Sequence, residues 1–422
     1  MLEFVKVERK QRMGKRKTCR GCGADDFILV LSLGETPLAN SFLKEEDLKK
    51  PEVVYPLDLY YCKRCHLLQL LEVVDPEILF NDYIYVTGTS EGISLHNTAL
   101  ADTITQRQKL TKSDLVVEIG SNDGSLLSCF QKNGIKVLGI EPAKNIVPIA
   151  QEKGIETLNR FFGRDCVSEI QSIYGLANVV IANNVLAHVD DTIEFLKGTR
   201  TLLKSGGIMV VEVPYLIDMF ENLEYDTIYH EHHCYFSILA LMQIYKRSGL
   251  SIIQVDRIAV HGGSLRIFAC SNARVRDHCP EIYDMAESEK QKGFTEKHTY
   301  MKFGDKVYEN KVEILRLIKD LKERGKTLAG YGAPAKGNTL INFCGITKED
   351  IPYIVDMSPY KVGRYTPGSH IRVYPVKKLC EDQPDYTLLL AWNFKDEIMR
   401  QQRAYSSRGG HFILPIPKPI IL

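Results

Sequence analysis

An apolar run, a glycine-rich turn and a second apolar run between residues 113 and 145 constrain the fold more than any other part of this sequence. The first run, LVVEIG, predicts a buried parallel strand. GSNDGS predicts a turn that leads into a helix, and KVLGIEP predicts the next strand. Such a unit begins a doubly wound α/β sheet, which binds ligands at the carboxyl ends of its strands.

A carboxylate and several glycines surround the turn between these two strands. Glu141 ends the second predicted strand, 21 residues after Gly120. An acid at this place can accept hydrogen bonds from both ribose hydroxyls of an adenosine ligand, and the glycines allow the backbone to approach that ligand closely. A dinucleotide fold starts in the same way, but its fingerprint G-x-G-x-x-G is absent here, which disfavours it.

The alternation of strands and helices continues beyond this unit. LANVVIANNVLAHVDD at 176–191 predicts a strand, a polar loop and a helix, and LLKSGGIMVVEVP at 202–214 predicts a helix end, a glycine turn and another strand. The acidic glycine turn, the ribose acid and the late L-K-x-G-G turn together resemble an S-adenosylmethionine-dependent methyltransferase of the Rossmann-like class. The predicted cofactor-binding residues are Glu118, Gly120, Asn122, Asp123, Gly124, Glu141, Asn183 and Asn184.

Four of the eleven cysteines form two C-x-x-C pairs. Two such turns can supply the four thiolates of a tetrahedral zinc site, and four sulfur ligands leave no open position for water, so the predicted zinc is structural. The 39 residues between the pairs exceed the usual ribbon spacing, so this loop is expected to have structure of its own. Redox-active pairs and a chance coincidence are the alternatives. The predicted ligands are Cys19, Cys22, Cys62 and Cys65, and we do not expect the adjacent His66 to replace one of them.

The stretch IYHEHHCYFS at 228–237 contains three of the chain's 11 histidines. A three-histidine zinc site is disfavoured because the adjacent His232 and His233 cannot easily point the same way on a regular element. A polar structural loop is a second alternative. Acid–base chemistry is favoured, because histidine titrates near neutrality and Glu231 can orient it. His188 ends the loop NNVLAH, where amino-methylating nucleic-acid enzymes carry an Asn/Asp-Pro-Pro-aromatic motif, and it offers a second proton acceptor.

Nearly from end to end, the chain resembles the sugar C-methyltransferase family, which makes branched deoxysugars on nucleotide carriers. The matching segments are CRGCG, LGETPLANSFL, LYYCKRCHLLQL, YIYVTGTS, EIGSNDGSLL, NNVLAHV, IYHEHHCYFS, HGGSLRI, GYGAPAKGNTL and YTPGSHI. The resemblance implies an α/β chain with a small N-terminal zinc-binding module (1–80), a central Rossmann-like class I methyltransferase domain (81–290) and a C-terminal Rossmann-like domain that helps to enclose the substrate (291–422).

The resemblance also implies the catalytic residues. The family's Tyr-x-Glu-His signature falls on Tyr229, Glu231 and His232. Its loop histidine falls on His188, and its N-terminal tyrosine falls on Tyr83, with Tyr85 as the alternative and a predicted substrate contact.

Methylation of carbon requires a nucleophile that carbon by itself lacks. A ketone beside that carbon acidifies its proton, so that a base can form an enolate whose carbon attacks the methyl group. We expect His232 to be this base, with Glu231 fixing its tautomer, while Tyr229 and His188 stabilise the enolate oxygen. Tyr229 is the alternative base, but its ordinary pKa of about 10 is less suitable.

The C-terminal third contains a second strand, glycine turn and helix in TLAGYGAPAKGNTLINFCGI at 327–346, followed by a strand that ends at Asp356. This pattern imitates a nicotinamide dinucleotide site, but its glycine spacing is G-x-G-x-x-x-x-G. A sugar-nucleotide pyrophosphate on this turn, with Lys336 as its counter-charge, is favoured. Gly332 and Asn338 are further predicted substrate-binding residues, and a long amphipathic helix is predicted over 313–325.

Charge and composition limit the remaining function classes. The formal net charge is +1, which disfavours nucleic acid or a membrane as partner. The basic segment 6–17 is predicted to be a frayed terminus, and a nucleic-acid-binding arm is its alternative. No signal peptide or membrane span is predicted, so we expect a cytoplasmic protein, and we expect a monomer.

The predicted function is S-adenosylmethionine-dependent methylation at C3 or C5 of a nucleotide-linked 4-keto-deoxysugar. A zinc-containing RNA methyltransferase and a non-catalytic nucleotide-sugar binding protein are the alternatives. The sequence does not identify the nucleotide carrier or the sugar.

Overall fold

A computed structural model describes residues 12–80, 83, 86–89, 91–271 and 279–422. The strands are β1 (Arg12–Lys15), β2 (Phe27–Thr36), β3 (Tyr55–Cys62), β4 (Leu68–Leu70), β5 (Glu72–Val74), β6 (Leu115–Ile119), β7 (Lys136–Ile140), β8 (Thr157–Leu158), β9 (Ala177–Asn183), β10 (Leu203–Pro214), β11 (Cys234–Tyr235), β12 (Ser251–Ile258), β13 (Ser264–Cys270), β14 (Leu328–Tyr331), β15 (Tyr353–Asp356), β16 (Arg372–Pro375), β17 (Tyr386–Leu389), β18 (His411–Leu414) and β19 (Ile420–Ile421).

The α-helices are α1 (Pro76–Phe80), α2 (Glu91–Gln108), α3 (Ser125–Lys132), α4 (Val147–Glu152), α5 (Arg164–Ile173), α6 (Thr192–Leu202), α7 (Leu216–Glu221), α8 (Ile238–Ser248), α9 (Pro280–Gln291), α10 (Lys297–Glu323), α11 (Ala335–Cys344), α12 (Lys377–Asp382), α13 (Lys395–Gln401) and α14 (Arg403–Ser406). Among these described helices, none combines the length and the apolar character that crossing a bilayer requires.

The central sheet has the strand order β12-β13-β10-β9-β6-β7-β8. Its strands from β10 to β8 are parallel, and β13 and β12 extend it with antiparallel pairing. All five residues of β6 are buried, as expected for a parallel strand with helices on both faces. The expected doubly wound sheet is therefore confirmed.

A second α/β sheet is formed by the C-terminal part of the chain, in the order β16-β15-β14-β17-β18-β19. The strands from β16 to β18 are parallel, and β19 closes the edge with antiparallel pairing. The amphipathic helix predicted over 313–325 is part of the longer α10, which packs against β2 and α11. The predicted C-terminal Rossmann-like architecture is confirmed.

The N-terminal module forms a smaller antiparallel sheet in the order β11-β4-β3-β2. Its strand β11 comes from the histidine-rich stretch, where Cys234 pairs with Gln69 and Tyr235 with Leu68. A segment far along the chain thus completes this sheet. The predicted boundaries at residues 80 and 290 stay predictions.

The basic N-terminal segment differs from the expected frayed terminus where it is described. Residues Arg12–Lys15 form β1, which pairs with β5, and the backbone N–H of Arg16 donates to the carbonyl of Leu71. Contacts with distant parts of the chain order this segment, and one of them is an ion pair of 2.9 Å between Arg16 and Asp190. Positions 6–11 of this segment lie outside the described residues.

Candidate active site

A cavity of about 1660 Å³ extends along both α/β sheets. Its wall includes residues at the carboxyl ends of β6, β7, β9 and β10 and of β14 and β15, together with residues of the histidine-rich stretch. Ligands of doubly wound sheets bind at such ends, and here two sheets share one cavity. The cavity can therefore hold two ligands side by side.

The turn after β6 has the backbone geometry that its glycines predict. Gly120 has a φ of 67° and Asn122 a φ of 48°, both left-handed. The Glu141 carboxylate accepts the backbone N–H groups of Asn122 and Ala143, each at 2.9 Å. Glu141 therefore holds the turn in shape and also lines the cavity, and its carboxylate has further lone pairs that can accept hydrogen bonds.

Glu118 lies at the carboxyl end of β6 and lines the cavity with only 6% of its surface exposed. Burial raises the pKa of Glu118 well above its ordinary value, and the negative charge of nearby carboxylates adds to this effect. Its Oε2 and the Oδ1 of Asn183 have no hydrogen-bond partner among the described residues. Two buried acceptors on one cavity wall fit an ammonium group, such as the amino group of a methionine moiety.

The other predicted cofactor residues divide into two groups. Asn122, Asn183 and Asn184 line the cavity. Asp123 is instead paired with Lys153 at 2.6 Å and caps the first turn of α3, and neither it nor Gly124 is part of the cavity wall.

His232 has both ring nitrogens engaged. Its Nδ1 lies 2.9 Å from the carbonyl oxygen of Thr227, which can only accept, so Nδ1 carries the proton. In the neutral ring, Nε2 is then the lone-pair nitrogen and accepts the hydroxyl of Tyr229 at 2.8 Å. This arrangement provides a neutral imidazole joined to a phenol on the cavity wall.

His188 packs against this pair, with its ring centroid 4.8 Å from that of His232 in an edge-to-face arrangement. Burial lowers the pKa of His188 to about 4, so the ring is neutral near pH 7. It lines the same cavity, and its Nδ1 has no hydrogen-bond partner among the described residues. The structure thus brings together the Tyr229, His232 and His188 side chains that the sequence singled out.

Glu231 does not orient His232, and the expectation that it fixes the tautomer is wrong. Its carboxylate accepts the amide of Asn40 at 2.7 Å and the hydroxyl of Tyr83 at 3.2 Å. The tautomer depends instead on the carbonyl of Thr227. Burial raises the pKa of Glu231 to about 7, although both hydrogen bonds oppose the shift.

Tyr83 and Tyr85 are the two candidates for the N-terminal tyrosine. Tyr83 lines the cavity and contacts Glu231. Tyr85 lies outside the described residues.

The turn after β14 repeats the plan of the first turn in the C-terminal sheet. Asp356 accepts the backbone N–H of Ala333 at 2.6 Å and that of Ser358 at 2.7 Å. Gly332 has a φ of 82°, and a Cβ there would lie 2.6 Å from the Cβ of Ala391, so this position requires glycine. Both Gly332 and Asp356 line the cavity.

Two lysines face the cavity beside this turn. Lys336 lies with its Nζ 3.8 Å from the ring centre of Trp392, and burial lowers its pKa to about 8 against the opposing effect of Asp226 and Glu224. Lys361 donates to the carbonyl of Ala333 at 2.8 Å, and burial lowers its pKa as well. This end of the cavity can therefore provide positive charge to an anion.

Asn338 occupies a different place from the other predicted substrate residues. Its amide donates to the carbonyl of Ala39 at 2.7 Å, and it is not part of the cavity wall. It joins α11 to the N-terminal module.

The four predicted zinc ligands are close together. Their sulfur atoms all lie within 4.8 Å of one another, with Cys19–Cys65 at 3.5 Å and Cys22–Cys62 at 3.6 Å. A tetrahedron with Zn–S bonds of about 2.3 Å requires sulfurs about 3.8 Å apart, so the set fits zinc. His66 is not in this cluster; its Nδ1 bonds to the hydroxyl of Tyr61.

Sequence reasoning missed Asn40 and Lys361. Asn40 lies within the PLAN segment of the N-terminal module, a segment that marked the family resemblance but suggested no role. Lys361 follows an ordinary polar turn, and no local pattern distinguishes it from other lysines.

Comparisons with known proteins agree with this geometry. Residues 19–80 match a family described as "Putative zinc binding domain", residues 95–255 a methyltransferase domain, and residues 259–417 a C-methyltransferase C-terminal domain. The C-methyltransferase NovU of Streptomyces niveus is 39% identical over 404 residues, which cover 96% of each chain.

Two further proteins match only in part. A ubiquinone biosynthesis O-methyltransferase of Ruegeria sp. (strain TM1040) is 28% identical over 99 residues, 22% of this chain and 39% of that protein. The structure of magnesium protoporphyrin IX methyltransferase from Synechocystis PCC 6803 overlaps 43% of this chain and 84% of its own, with 14% identity and a TM-score of 0.34.

Proposed function

The chain belongs to the S-adenosylmethionine-dependent C-methyltransferase family, and from this premise we propose that it methylates a carbon next to the keto group of a nucleotide-linked 4-keto-deoxysugar, at C3 or C5. The observation that carries the proposal is the continuous cavity, which joins an acid-lined turn, the Tyr229–His232 pair and a lysine-bearing turn. The first turn suits the cofactor and the last suits a phosphate, so the reacting carbon lies between them.

S-adenosylmethionine would supply an electrophilic methyl group, and the chain must supply a base that turns the substrate carbon into a nucleophile. His232 and Tyr229 act as one proton-accepting unit because a hydrogen bond of 2.8 Å joins them. As the proton leaves the substrate carbon, it passes to Nε2 of His232 directly or through the Tyr229 hydroxyl, whose own proton moves to Nε2. Either route adds a second proton to the ring, which becomes an imidazolium protonated on both nitrogens, and leaves an enolate on the substrate.

The enolate oxygen needs hydrogen-bond donors placed in advance. Once Nε2 of His232 is protonated, it no longer accepts from Tyr229, whose hydroxyl is then able to donate to the enolate. The neutral His188 ring beside it is a second donor in one of its tautomers. We assign Tyr83 and Asn40 to the sugar hydroxyls, because both line the cavity and both donate to the Glu231 carboxylate, which holds them in place.

At the other end of the cavity, Lys336 and the first turn of α11 are assigned to the pyrophosphate. The unbonded N–H groups of a helix start favour an anion, and a nearby ammonium group adds a charge-assisted hydrogen bond. Asp226 and Glu224 lie close enough to Lys336 to favour its protonated form electrostatically, and they balance part of its positive charge before substrate binds.

The test separates proton removal from methyl transfer. The enzyme is incubated with labelled S-adenosylmethionine and a panel of nucleotide 4-keto-6-deoxysugars. With the demethylated cofactor product bound in D₂O, the wild type should wash deuterium into the carbon that it otherwise methylates, and NMR identifies that carbon.

Two matched variants assign the base. His232→Asn should abolish both deuterium exchange and methylation, whereas Tyr229→Phe should slow both without abolishing them. If none of the keto-sugars is methylated or exchanges its proton, the proposed substrate class is wrong. If His232→Asn exchanges at the wild-type rate, Tyr229 or His188 is the base.

A further inference from the structure

We propose that Arg20, inside the first cysteine pair, is a positioning residue that holds the two catalytic histidine segments in register. The inference rests on the proposed function of His188 and His232. It gives the zinc module a role in the geometry of the reaction that goes beyond its own folding.

The Arg20 side chain is completely buried although it carries a charge. Its Nη2 lies 2.9 Å and its Nε 3.1 Å from Oδ1 of Asp190, two residues after His188. Its Nη1 donates to the carbonyl of Leu70 on β4. A buried guanidinium requires such partners, since an unpaired one would be strongly destabilising.

The same guanidinium also reaches the second histidine segment. Its Nη2 lies 3.5 Å from Nδ1 of His233, which directly follows His232. His233 is 1% exposed, and burial together with the charge of Arg20 keeps its pKa well below the ordinary value, so the ring is a neutral acceptor. One arginine therefore contacts a neighbour of each catalytic histidine.

Backbone hydrogen bonds link these segments to each other and to the module. The N–H of His233 donates to the carbonyl of Ala187 at 2.7 Å, and the N–H of Leu70 donates to the carbonyl of His233 at 2.9 Å. Within this frame the rings of His188 and His232 stay 4.8 Å apart. Because catalysis depends on near-attack distances, a shift of about 1 Å there can lower the rate about 100-fold.

The position of Arg20 itself depends on the metal cluster. It lies between Cys19 and Cys22, its backbone N–H donates to Oε1 of Gln69, and the Gln69 amide donates to the Cys19 sulfur at 3.0 Å. A zinc ion on the four sulfurs would fix this knuckle. The structure thus connects the cluster, through Arg20, to both histidine segments.

The test compares Arg20→Lys with Arg16→Lys. Lysine keeps the charge but lacks the planar fork that spans Asp190, Leu70 and His233. Arg16 is the matched control because it also pairs with Asp190, at 2.9 Å, and no contact joins it to His233. Zinc per chain, S-adenosylmethionine affinity, kcat and KM for the keto-sugar, and hydrogen–deuterium exchange of 186–191 and 229–236 are measured.

Arg20→Lys should keep about one zinc per chain and bind the cofactor within about twofold of wild type. Its kcat should fall about 30-fold while KM changes less than about threefold, and both peptides should exchange about tenfold faster. Arg16→Lys should resemble wild type in every measurement. Hydrogen–deuterium exchange is measured without the sugar, so it does not depend on the proposed substrate. If the wild type methylates no keto-sugar but both peptides still exchange faster in Arg20→Lys, the proposed substrate is wrong and the positioning role of Arg20 is supported.

Three results would overturn the inference. The first is wild-type kcat and exchange in Arg20→Lys, and the second is loss of zinc from that variant, which would assign Arg20 to folding alone. If Arg20→Lys does not fold, Asp190→Asn is compared with Arg16→Lys: the Asp190 variant removes the ion pairs of both arginines at a side chain that is 30% exposed, and the Arg16 variant measures the share of Arg16. Wild-type kcat and exchange in Asp190→Asn would be the third such result.

Discussion

The two glycine turns on the cavity wall share a backbone plan and differ in charge. In each, an acid after the second strand accepts two backbone N–H groups: Glu141 from Asn122 and Ala143, and Asp356 from Ala333 and Ser358. The carboxylates of Glu118 and Glu141 line the cavity around the first turn, whereas the ammonium groups of Lys336 and Lys361 lie beside the second. The shared plan shapes a turn for a ligand, and the flanking charge selects which ligand it accepts.

The largest effect is expected from a substitution that removes the charge difference between the two turns. Lys336→Met removes the proposed counter-charge of the pyrophosphate and should raise KM for the nucleotide sugar about 100-fold, since a charge-assisted hydrogen bond contributes about 1.5–3 kcal/mol. S-adenosylmethionine affinity by calorimetry should change less than about twofold. The control is Lys326→Met, which removes an exposed lysine two residues before β14. A weaker cofactor complex in Lys336→Met would contradict the assignment of the two turns.

A substitution in the first turn should affect the cofactor and not the nucleotide sugar. Glu141→Ala removes the acceptor of two turn N–H groups and the proposed acceptor of the ribose hydroxyls, so cofactor affinity should fall about 30-fold, or about 2 kcal/mol. KM for the nucleotide sugar should stay within about twofold, and zinc content should not change. Unchanged cofactor affinity would mean that Glu141 only shapes the turn.

The structural counterpart in the second turn is Asp356→Ala. It removes the acceptor of the Ala333 and Ser358 N–H groups, and we expect KM for the nucleotide sugar to rise about tenfold. The affinity for S-adenosylmethionine should stay unchanged. Glu141→Ala and Asp356→Ala should therefore each weaken the binding of one ligand and leave the other unaffected. Weaker binding of both ligands in either variant would show that the turns do not act separately.

The smallest effect is a pH dependence of the second turn alone. Burial lowers the pKa of Lys336 to about 8, and an anion binds its protonated form, so affinity for the nucleotide sugar is present below that pKa and is lost above it. KM should rise about fivefold between pH 8 and pH 9 in the wild type and much less in Lys336→Met. A pH-independent KM over this interval would contradict the proposed contact.

Much of the fold could be predicted because parallel strands that are buried on both faces are apolar along their whole length. LVVEI before Gly120 and YIVD ending at Asp356 are local signals of this kind, and both are strands. The strand β11 was not predictable, since it has two residues and pairs with β4, which lies far back in the chain.

The site was predictable to the extent that its chemistry is local. The tyrosine and histidine of the Tyr-x-Glu-His signature bond to each other three residues apart, and each cysteine pair forms one knuckle. The partners of Glu231 were not predictable, because Asn40 is 191 residues away and Tyr83 is 148 residues away. The residues around Asn40 and around Tyr83 form no local pattern that predicts contact with Glu231.

The sequence alone determined the element types, the two glycine turns and the residue types that can carry acid–base and zinc chemistry, because these depend on neighbours a few positions apart. Only the tertiary structure decided that Thr227, and not Glu231, orients His232, and that Arg20 contacts both histidine segments. The physical reason is that hydrogen-bond partners and burial set tautomer and charge, and both arise only when distant segments pack together.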